Sequence, residues 1–103
     1  MNDVRVFRGY LVADLVLPHA RSLKDRRKPL QALIQRLRNQ GLAVAQVGPP
    51  DLIQRAYLAI ATVSGDEGQL QALLDGAERI IFGSGFEVAD LRRDVTSDHF
   101  RTP

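Results

Sequence analysis

The sequence predicts an α+β protein with a ferredoxin-like βαββαβ sandwich, in which two helices cover one face of a four-stranded antiparallel sheet. The apolar residues change their spacing along the chain in the order strand, helix, strand, strand, helix, strand. If the strand–helix–strand connections are right-handed, as such connections nearly always are, this order of elements gives the sandwich. The first and third strands, which the topology places at the centre of the sheet, are apolar on both faces, as covered central strands are.

The composition is that of one small globular domain. The chain has 103 residues, of which 45% are hydrophobic and 25% are charged, and both values are ordinary for a single domain. It contains no cysteine, which excludes a disulfide framework, a thiolate nucleophile and a cysteine-ligated zinc site. No run approaches the roughly 20 apolar residues of a membrane span, and no secretory signal is visible. We therefore expect a cytoplasmic domain over residues 1–95, a flexible tail over 96–103, and no metal, cofactor or membrane partner.

The first strand is predicted over residues 6–17, after a loose start over 1–5, and Pro18 closes it. Alternation divides its side chains between the two faces of the sheet. One face would carry Leu11, Ala13, Leu15 and Leu17, and the other would carry Tyr10, Val12, Asp14 and Val16.

A helix should follow, with Ser22 as its N-cap and Asp25 in a position like that of a capping box. Gly41 is the expected stop. Five apolar side chains fall on one side of this helix and predict its core face. They are Leu23, Leu30, Leu33, Ile34 and Leu37.

Pro29 lies beyond the first turn of this helix, where a proline removes a backbone hydrogen bond and clashes with the preceding turn. We predict a kink or a broken first turn over residues 26–29, with the regular helix over 29–40.

The second half of the chain supplies three more strands and a helix. The strands are predicted over 42–48, 55–64 and 86–95. The helix should begin at a cap on Ser64 or Asp66 and end near Phe82, before two glycines.

Three segments of the chain resemble the YlxP family, a group of small bacterial proteins with no established activity. They are L-P-H-A-R-S-L-K-D-R-R-K-P-L at 17–30, V-A-Q-V-G-P-P-D-L-I-Q-R-A at 44–56 and A-T-V-S-G-D at 61–66. Pro29 departs from the family pattern, in which an aliphatic residue is commoner. The resemblance implies a ferredoxin-like fold and a gene neighbourhood often shared with translation and ribosome-maturation factors.

The charge of the chain is unevenly distributed, although its net charge is only +2. Residues 18–41 carry seven bases and one acid, so this segment has a charge of +6 and the rest of the chain −4. On a helix projection, Arg26 leans toward the core edge, where we expect a structural ion pair, and Arg36 points away from the others. The remaining five bases, called the basic flank below, are Arg21, Lys24, Arg27, Lys28 and Arg38.

The basic flank has the character of a phosphate-binding surface, with an affinity that would fall steeply with salt. We expect a non-enzymatic protein that binds RNA or a ribosomal particle through it. A solvated helix face and an acidic protein partner remain open alternatives.

The sheet face away from the helices, called the open face below, is apolar enough to need a cover. We predict a homodimer through this face, with a terminal segment as the alternative cover. Base stacking on the sheet, as in RNA-recognition modules, is disfavoured because the glycine and paired aromatics of those motifs are missing around Tyr57. The predicted dimer residues are Tyr10, Val12, Val16 and Tyr57.

The sequence contains no catalytic triad, P-loop or dinucleotide fingerprint. Asp14 is unusual within a strand, and we expect it to pair with Arg55 or another cation rather than act as a base. Two enzyme or ligand alternatives remain. One is a dimeric regulatory module with a small-ligand pocket between the two sheets. The other is an acylphosphatase-like hydrolase, which the absence of a glycine-rich cradle around Arg21 disfavours.

Overall fold

A computed structural model describes residues 3–102, and its six elements follow the predicted order. The four strands form one antiparallel sheet in the order β2-β3-β1-β4, with both helices on one face. The predicted ferredoxin-like α+β fold is therefore confirmed. The elements are β1 (Asp3–Val16), α1 (Leu23–Asn39), β2 (Ala43–Val47), β3 (Arg55–Ser64), α2 (Glu67–Phe82) and β4 (Glu87–Arg101).

The core lies between the helices and the covered face of the sheet. In β1, alternate residues are fully buried, and Leu11 lies opposite Ile60 of β3, which is also buried. Gly9 lets α2 approach the sheet closely, because a Cβ at this position would lie 2.7 Å from a methyl carbon of Leu74. The burial pattern of β1 follows the predicted division of its two faces.

Helix α1 runs without interruption through Pro29, so the prediction of a broken first turn is wrong. Its predicted start is confirmed, because the Ser22 hydroxyl accepts a hydrogen bond from the backbone N–H of Asp25 at 3.1 Å. Packing explains why the proline is tolerated. The helix is fixed after the proline by buried Leu30 and Leu33, and before it by buried Arg26. No helix within residues 3–102 is long and apolar enough to span a membrane.

Strand β4 is longer than predicted, and this corrects the flexible tail. Residues 96–101 pair with the first residues of β1, from Thr96 opposite Arg8 to Arg101 opposite Asp3. The prediction failed because this part of the strand is polar, having no core beneath it to impose an apolar face. The same pairing extends β1 into the predicted loose start, while residues 1, 2 and 103 lie outside the described range.

The outer ends of β1 and β4 project beyond the rest of the sheet. Strand β3 ends at Ser64, opposite Phe7, so residues 3–6 and 98–101 pair only with each other. These eight residues are called the arm below. Together with the long strands, the arm gives the molecule extents of 59 × 23 × 20 Å.

Candidate nucleic-acid interface

Three cations of the basic flank lie close together on the first turns of α1. Lys24, Arg27 and Lys28 are exposed and are spaced three and four residues apart. Side chains at this spacing are neighbours on a helix surface. No acid within residues 3–102 forms an ion pair with any of them, although Asp25 lies in the same turn. Its carboxylate accepts a hydrogen bond from the backbone N–H of Arg21 at 3.1 Å.

The position of these cations opposes the stability of the helix. The N-terminal end of a helix carries the positive end of its dipole, which favours acids there and disfavours bases. Like charges four residues apart, such as Lys24 and Lys28, also repel each other. The positive end of the helix dipole and the clustered cations together give this end of the molecule a positive electrostatic potential.

The arginines outside the basic segment are in a different state. Four of the seven bases outside residues 18–41 form ion pairs with acids, whereas none of the seven bases inside it does so within the described chain. The pairs are Arg8 with Asp98 at 3.1 Å, Arg55 with Asp14 at 2.7 Å, Arg92 with Asp90 at 3.0 Å, and Arg93 with Asp75 at 2.7 Å and Glu78 at 2.6 Å. The free positive charge of the protein is therefore concentrated on α1.

Two of these pairs shift the pKa of their members. The pKa of Asp14 is lowered, mainly by the hydrogen bonds that its carboxylate accepts from Arg55 at 2.7 and 2.8 Å. This contact confirms the expected partner of Asp14. The pKa of Arg93 is raised, first by its hydrogen bond to Asp75. Both arginines are held as structural cations and are not available to an anionic ligand.

The other two members of the basic flank separate from the central three. Arg38 lies eleven residues after Arg27, which is about 16 Å along the helix axis. Its guanidinium donates a hydrogen bond to the backbone carbonyl of Val44 at 3.1 Å, on the edge strand β2. Arg21 precedes the N-cap and is therefore outside the helix. The structure thus reduces the compact part of the flank to Lys24, Arg27 and Lys28.

Arg26 is buried as expected, but the predicted ion pair is wrong. Only 5% of its surface is exposed, and its guanidinium donates to three backbone carbonyls. The acceptors are Leu52 at 2.7 Å, Arg55 at 2.5 Å and Pro50 at 2.9 Å. A planar guanidinium with five donors suits such a cluster of carbonyls. Arg26 therefore fixes the β2–β3 loop against α1 and does not contribute to the charged surface.

A cleft of about 250 Å³ lies at one end of α1, between the β1–α1 and α2–β4 connections. Its walls include Leu17, Pro29 and Phe86, and His19 and Asp25 also line it. The amide of Gln54 donates to two carbonyls of the β1–α1 loop, those of residues 18 and 20, at 3.4 and 3.1 Å. These contacts fix the loop at the position where an acylphosphatase-like site would have needed a phosphate cradle.

The four predicted dimer residues lie together on the open face. Tyr10, Val12 and Val16 alternate along β1, and Tyr57 lies opposite Asp14 in β3. Tyr10 is 45% exposed, and the other three are half-buried.

Other open-face residues were not singled out as site residues by the sequence reasoning. Alternation on β2 and β3 could have identified Val47 and Val63, but Phe100 lay in the supposed tail. The third strand brings Ala59, Ala61 and Val63 to this face, as its alternation predicts, and the structure adds Val4, Ala43, Ala45, Val47 and Phe100.

Residues 9–93 match the model of a family described as a protein of unknown function, DUF503. The chain belongs to this family. The match covers both helices and most of the sheet, including the basic flank. A search of curated proteins found no match.

Solved structures with a similar fold include a de novo designed protein and a domain-sized part of an enzyme. The design, Ferredog-Diesel, is 13% identical, with a TM-score of 0.50 over 84% of this chain and 83% of that chain. An amidase of the hydantoinase/carbamoylase family from Burkholderia vietnamiensis is 17% identical, with a TM-score of 0.54 over 95% of this chain. This chain spans 30% of the amidase's length. Likeness at these identities shows the fold alone.

Proposed function

We propose that the protein is a non-enzymatic RNA-binding protein whose contact surface is formed by Lys24, Arg27 and Lys28. The observation that supports this proposal is the contrast in pairing. Four arginines elsewhere are neutralised by acids, while these three exposed cations have no acidic partner within residues 3–102. The favoured ligand is folded RNA, free or in a ribosome-associated particle.

The geometry of α1 suits contact with the phosphate backbone. Lys24 and Lys28 are one helical turn apart, about 6 Å along the axis, and Arg27 lies between them in sequence and lines a hollow together with Gln46 of β2. The guanidinium can bind a phosphate with two hydrogen bonds, while each ammonium acts as a compact point charge. Such a surface follows the shape and backbone of RNA and does not read bases. The resemblance to the YlxP family, with its translation-related gene neighbourhood, is consistent with this ligand.

The test is RNA binding by a triple charge reversal. We expect wild-type protein to bind ribosomal RNA at low salt, and K24E/R27E/K28E to lose that binding because repulsion replaces attraction. In the milder variant K24A/R27A/K28A, which removes the three contacts without adding repulsion, the dependence of log K on log salt should become shallower by about 2 to 3. Fluorescence anisotropy with a labelled ribosomal RNA fragment, measured across a salt series, gives both quantities.

A matched control separates the site from the total charge. The variant R5E/R36E/R79E reverses three exposed arginines that lie outside the basic flank and form no ion pair within residues 3–102, so its net charge equals that of the α1 variant. It should retain most of the binding. Equal loss in both charge-reversal variants, or negligible binding by wild-type protein, would reject the basic flank as an RNA site.

We also propose a second candidate, a small polar ligand bound between two copies of the chain. A hollow of about 390 Å³ on the open face is lined by Val12, Tyr57 and three charged residues, Asp14, Asp90 and Arg92. Covering this face would enclose the hollow. A thermal-shift screen of small polar metabolites tests the idea, with Arg92→Ala as the variant that should lose any stabilisation. A screen in which no compound raises the melting temperature would count against it.

A further inference from the structure

The open face leaves an unusual amount of apolar surface uncovered. Nine large hydrophobic residues are exposed within the described chain, and five of them lie on this face. An exposed apolar patch of this kind usually marks an interaction surface. The five are Val4 at 41%, Tyr10 at 45%, Val47 at 39%, Val63 at 66% and Phe100 at 54% exposed.

Small residues form a shallow trough beside Tyr10. Ala43 lies opposite Ala61, and Ala45 lies opposite Ala59, so two alanine pairs bridge strands β2 and β3. The hollow above them is about 200 Å³. Without large side chains in the trough, another sheet could pack closely against this one.

The arm also requires a cover. Within it, Val4 lies directly opposite Phe100, and both side chains are on the side of Tyr10 because Val4 precedes Tyr10 by six positions and side chains alternate along a strand. An isolated pair of strands is marginally stable in water and needs a third strand or a packed layer. The arm has neither among residues 3–102, since β3 ends before reaching it.

The charges of the open face select among the possible partners. All three of its arginines, Arg8, Arg55 and Arg92, are paired with acids on the same face. No unpaired cation is left there to attract nucleic acid or an anionic lipid surface. An isologous contact places like surfaces against each other, so these three neutralised pairs suit a second copy, while the two remaining acids of the face, Glu87 and Asp94, form no ion pair within residues 3–102 and must lie apart from their own copies across the contact.

The size of the surface also fits a second copy. The apolar part spans ten paired residues each of β1 and β3 and the five residues of β2, so its plan area is roughly 400 Å² from the usual strand spacing and rise. Two copies would therefore bury about 800 Å² through the sheets alone. Stable interfaces bury about 1,200–2,000 Å², and the arms supply the remaining area.

We propose that the open face is covered by a second copy of this chain, packed face to face about a two-fold axis. An axis that crosses β1 between the arm and Tyr10 places each arm opposite the partner's sheet. No segment of residues 3–102 covers this face, because both ends of the described chain, which could have supplied the terminal segment predicted as the alternative cover, belong to the sheet as parts of β1 and β4. The basic flank of each copy lies on the helical side, away from the contact.

The mass of the full-length protein in solution tests the proposal. Sedimentation equilibrium should give twice the chain mass for wild-type protein and the monomer mass for A61R, whose charged side chain would enter the trough. Ala61 is exposed in a single copy, so this variant should fold, as its circular dichroism would show. The control A72R adds the same charge on the exposed side of α2 and should remain dimeric.

Hydrogen exchange tests the role of the arm separately. The amides of Val4 and Phe100 should exchange at least tenfold more slowly in the wild-type dimer than in the A61R monomer. A monomeric wild-type protein throughout a dilution series, or a dimeric A61R, would overturn the proposal. Equal exchange of the arm in both proteins would remove the arm from the interface and contradict the geometry proposed here.

Discussion

Arg26 shows how a buried cation can be held without an acid. Its three carbonyl partners come from a loop that lies 24 to 29 residues further along the chain. The helical projection correctly indicates that Arg26 faces the core edge. It cannot identify the acceptors, because they are backbone atoms brought there by the turn between β2 and β3. An acid partner was the natural expectation for a buried base, and it was wrong.

Replacing Arg26 should destabilise the protein more than any change in the basic flank. Arg26→Met leaves three carbonyls in part-buried contacts without their donor, and we expect a loss of about 3 kcal/mol in the free energy of unfolding. Arg26→Lys should lose less, since an ammonium can retain one or two of the bonds. Urea unfolding measures both changes. The neighbouring Arg27→Met is the control and should change stability little, because Arg27 is exposed.

The pair of Asp14 and Arg55 could be predicted from the sequence, because both residues lie on central strands. Strand alternation places an acid and a base on the open face, and the antiparallel register brings Arg55 opposite Val16, diagonal to Asp14. Arg8, Arg92 and Arg93 could not be paired in the same way. Their partners depend on the length of β4 and on the packing of α2.

Asp14 should make stability depend on pH in the acid range. The hydrogen bonds from Arg55 hold the pKa of Asp14 below its ordinary value of 3.8. The unfolded chain therefore binds this proton first, so the contribution of the pair is present above about pH 4 and is lost as the pH falls through the folded-state pKa. Asp14→Asn should be less stable than wild type near pH 6, with the difference shrinking toward pH 2.

Thermal unfolding between pH 2 and pH 6 measures this difference. Asp51→Asn removes an exposed acid of the β2–β3 loop that forms no ion pair within residues 3–102, and its curve should follow that of wild type. A gap between wild type and Asp14→Asn that is constant over this range would contradict the prediction.

At the scale of the elements, helix α1 combines a core face with a surface of unpaired cations. The apolar spacing correctly predicted four of its buried residues, from Leu30 to Leu37, but it wrongly placed Leu23 in the core, because Leu23 begins the helix and is 45% exposed. The N-cap was also correct, while the rule against internal proline wrongly predicted a break. Proline disfavours a helix locally, but burial of side chains on both sides of Pro29 outweighs that preference. Local propensity is a weaker determinant than tertiary packing.

Pro29→Ala should stabilise the protein, because it restores the backbone N–H that proline lacks. An interior proline is about 3 kcal/mol less favourable than alanine in a helix. The ring of Pro29 lines the cleft at the end of α1, and losing that contact reduces the gain, so we expect about 2 kcal/mol. Urea unfolding measures the change in the free energy of unfolding. Lys28→Ala is the control and should change it little, because lysine and alanine have similar helix propensities. A destabilised Pro29→Ala would show that the ring contributes more than the missing hydrogen bond.

Strand β4 illustrates what periodicity cannot show. Its inner half packs on the core through residues such as Leu91 and Val95, and this half was predicted. Its outer half lies beyond the helices, so solvent replaces the core on that side, and its other side carries only an apolar patch. The sequence of this half therefore resembles that of a loop. Its pairing partner, the start of β1, was itself predicted to be irregular. Neither end of the chain has an apolar alternation strong enough to predict a strand, so the sequence could not show that the two ends pair.

At the scale of the whole molecule, the two sides of the sandwich have different character. The helical side carries the unpaired cations, and the sheet side carries the exposed apolar residues and neutralised ion pairs. The overall fold could be predicted because alternation, helix periodicity and chain order all favour one topology. The site was less predictable, since pairing depends on tertiary contacts. The sequence showed where the bases are, and only the structure shows which of them remain unpaired.

In a face-to-face dimer the two basic flanks would lie on opposite outer surfaces. Each copy would then offer its α1 independently, and a long RNA could contact both. Two linked sites bind more tightly than either alone when the ligand can span them. Dimer formation and RNA binding can therefore be disrupted by different mutations, since A61R prevents the dimer but leaves Lys24, Arg27 and Lys28 unchanged.

The pairing of Asp3 with Arg101 places both ends of the described chain side by side at the tip of the arm. A force that pulls these two ends apart acts across the β1–β4 ladder, along the direction of its hydrogen bonds. The hydrogen bonds between β1 and β4 would therefore break one residue pair at a time, beginning in the arm. The fold resists such peeling only where β3 and the helices support the strands, so under tension the arm separates well before the core is disturbed.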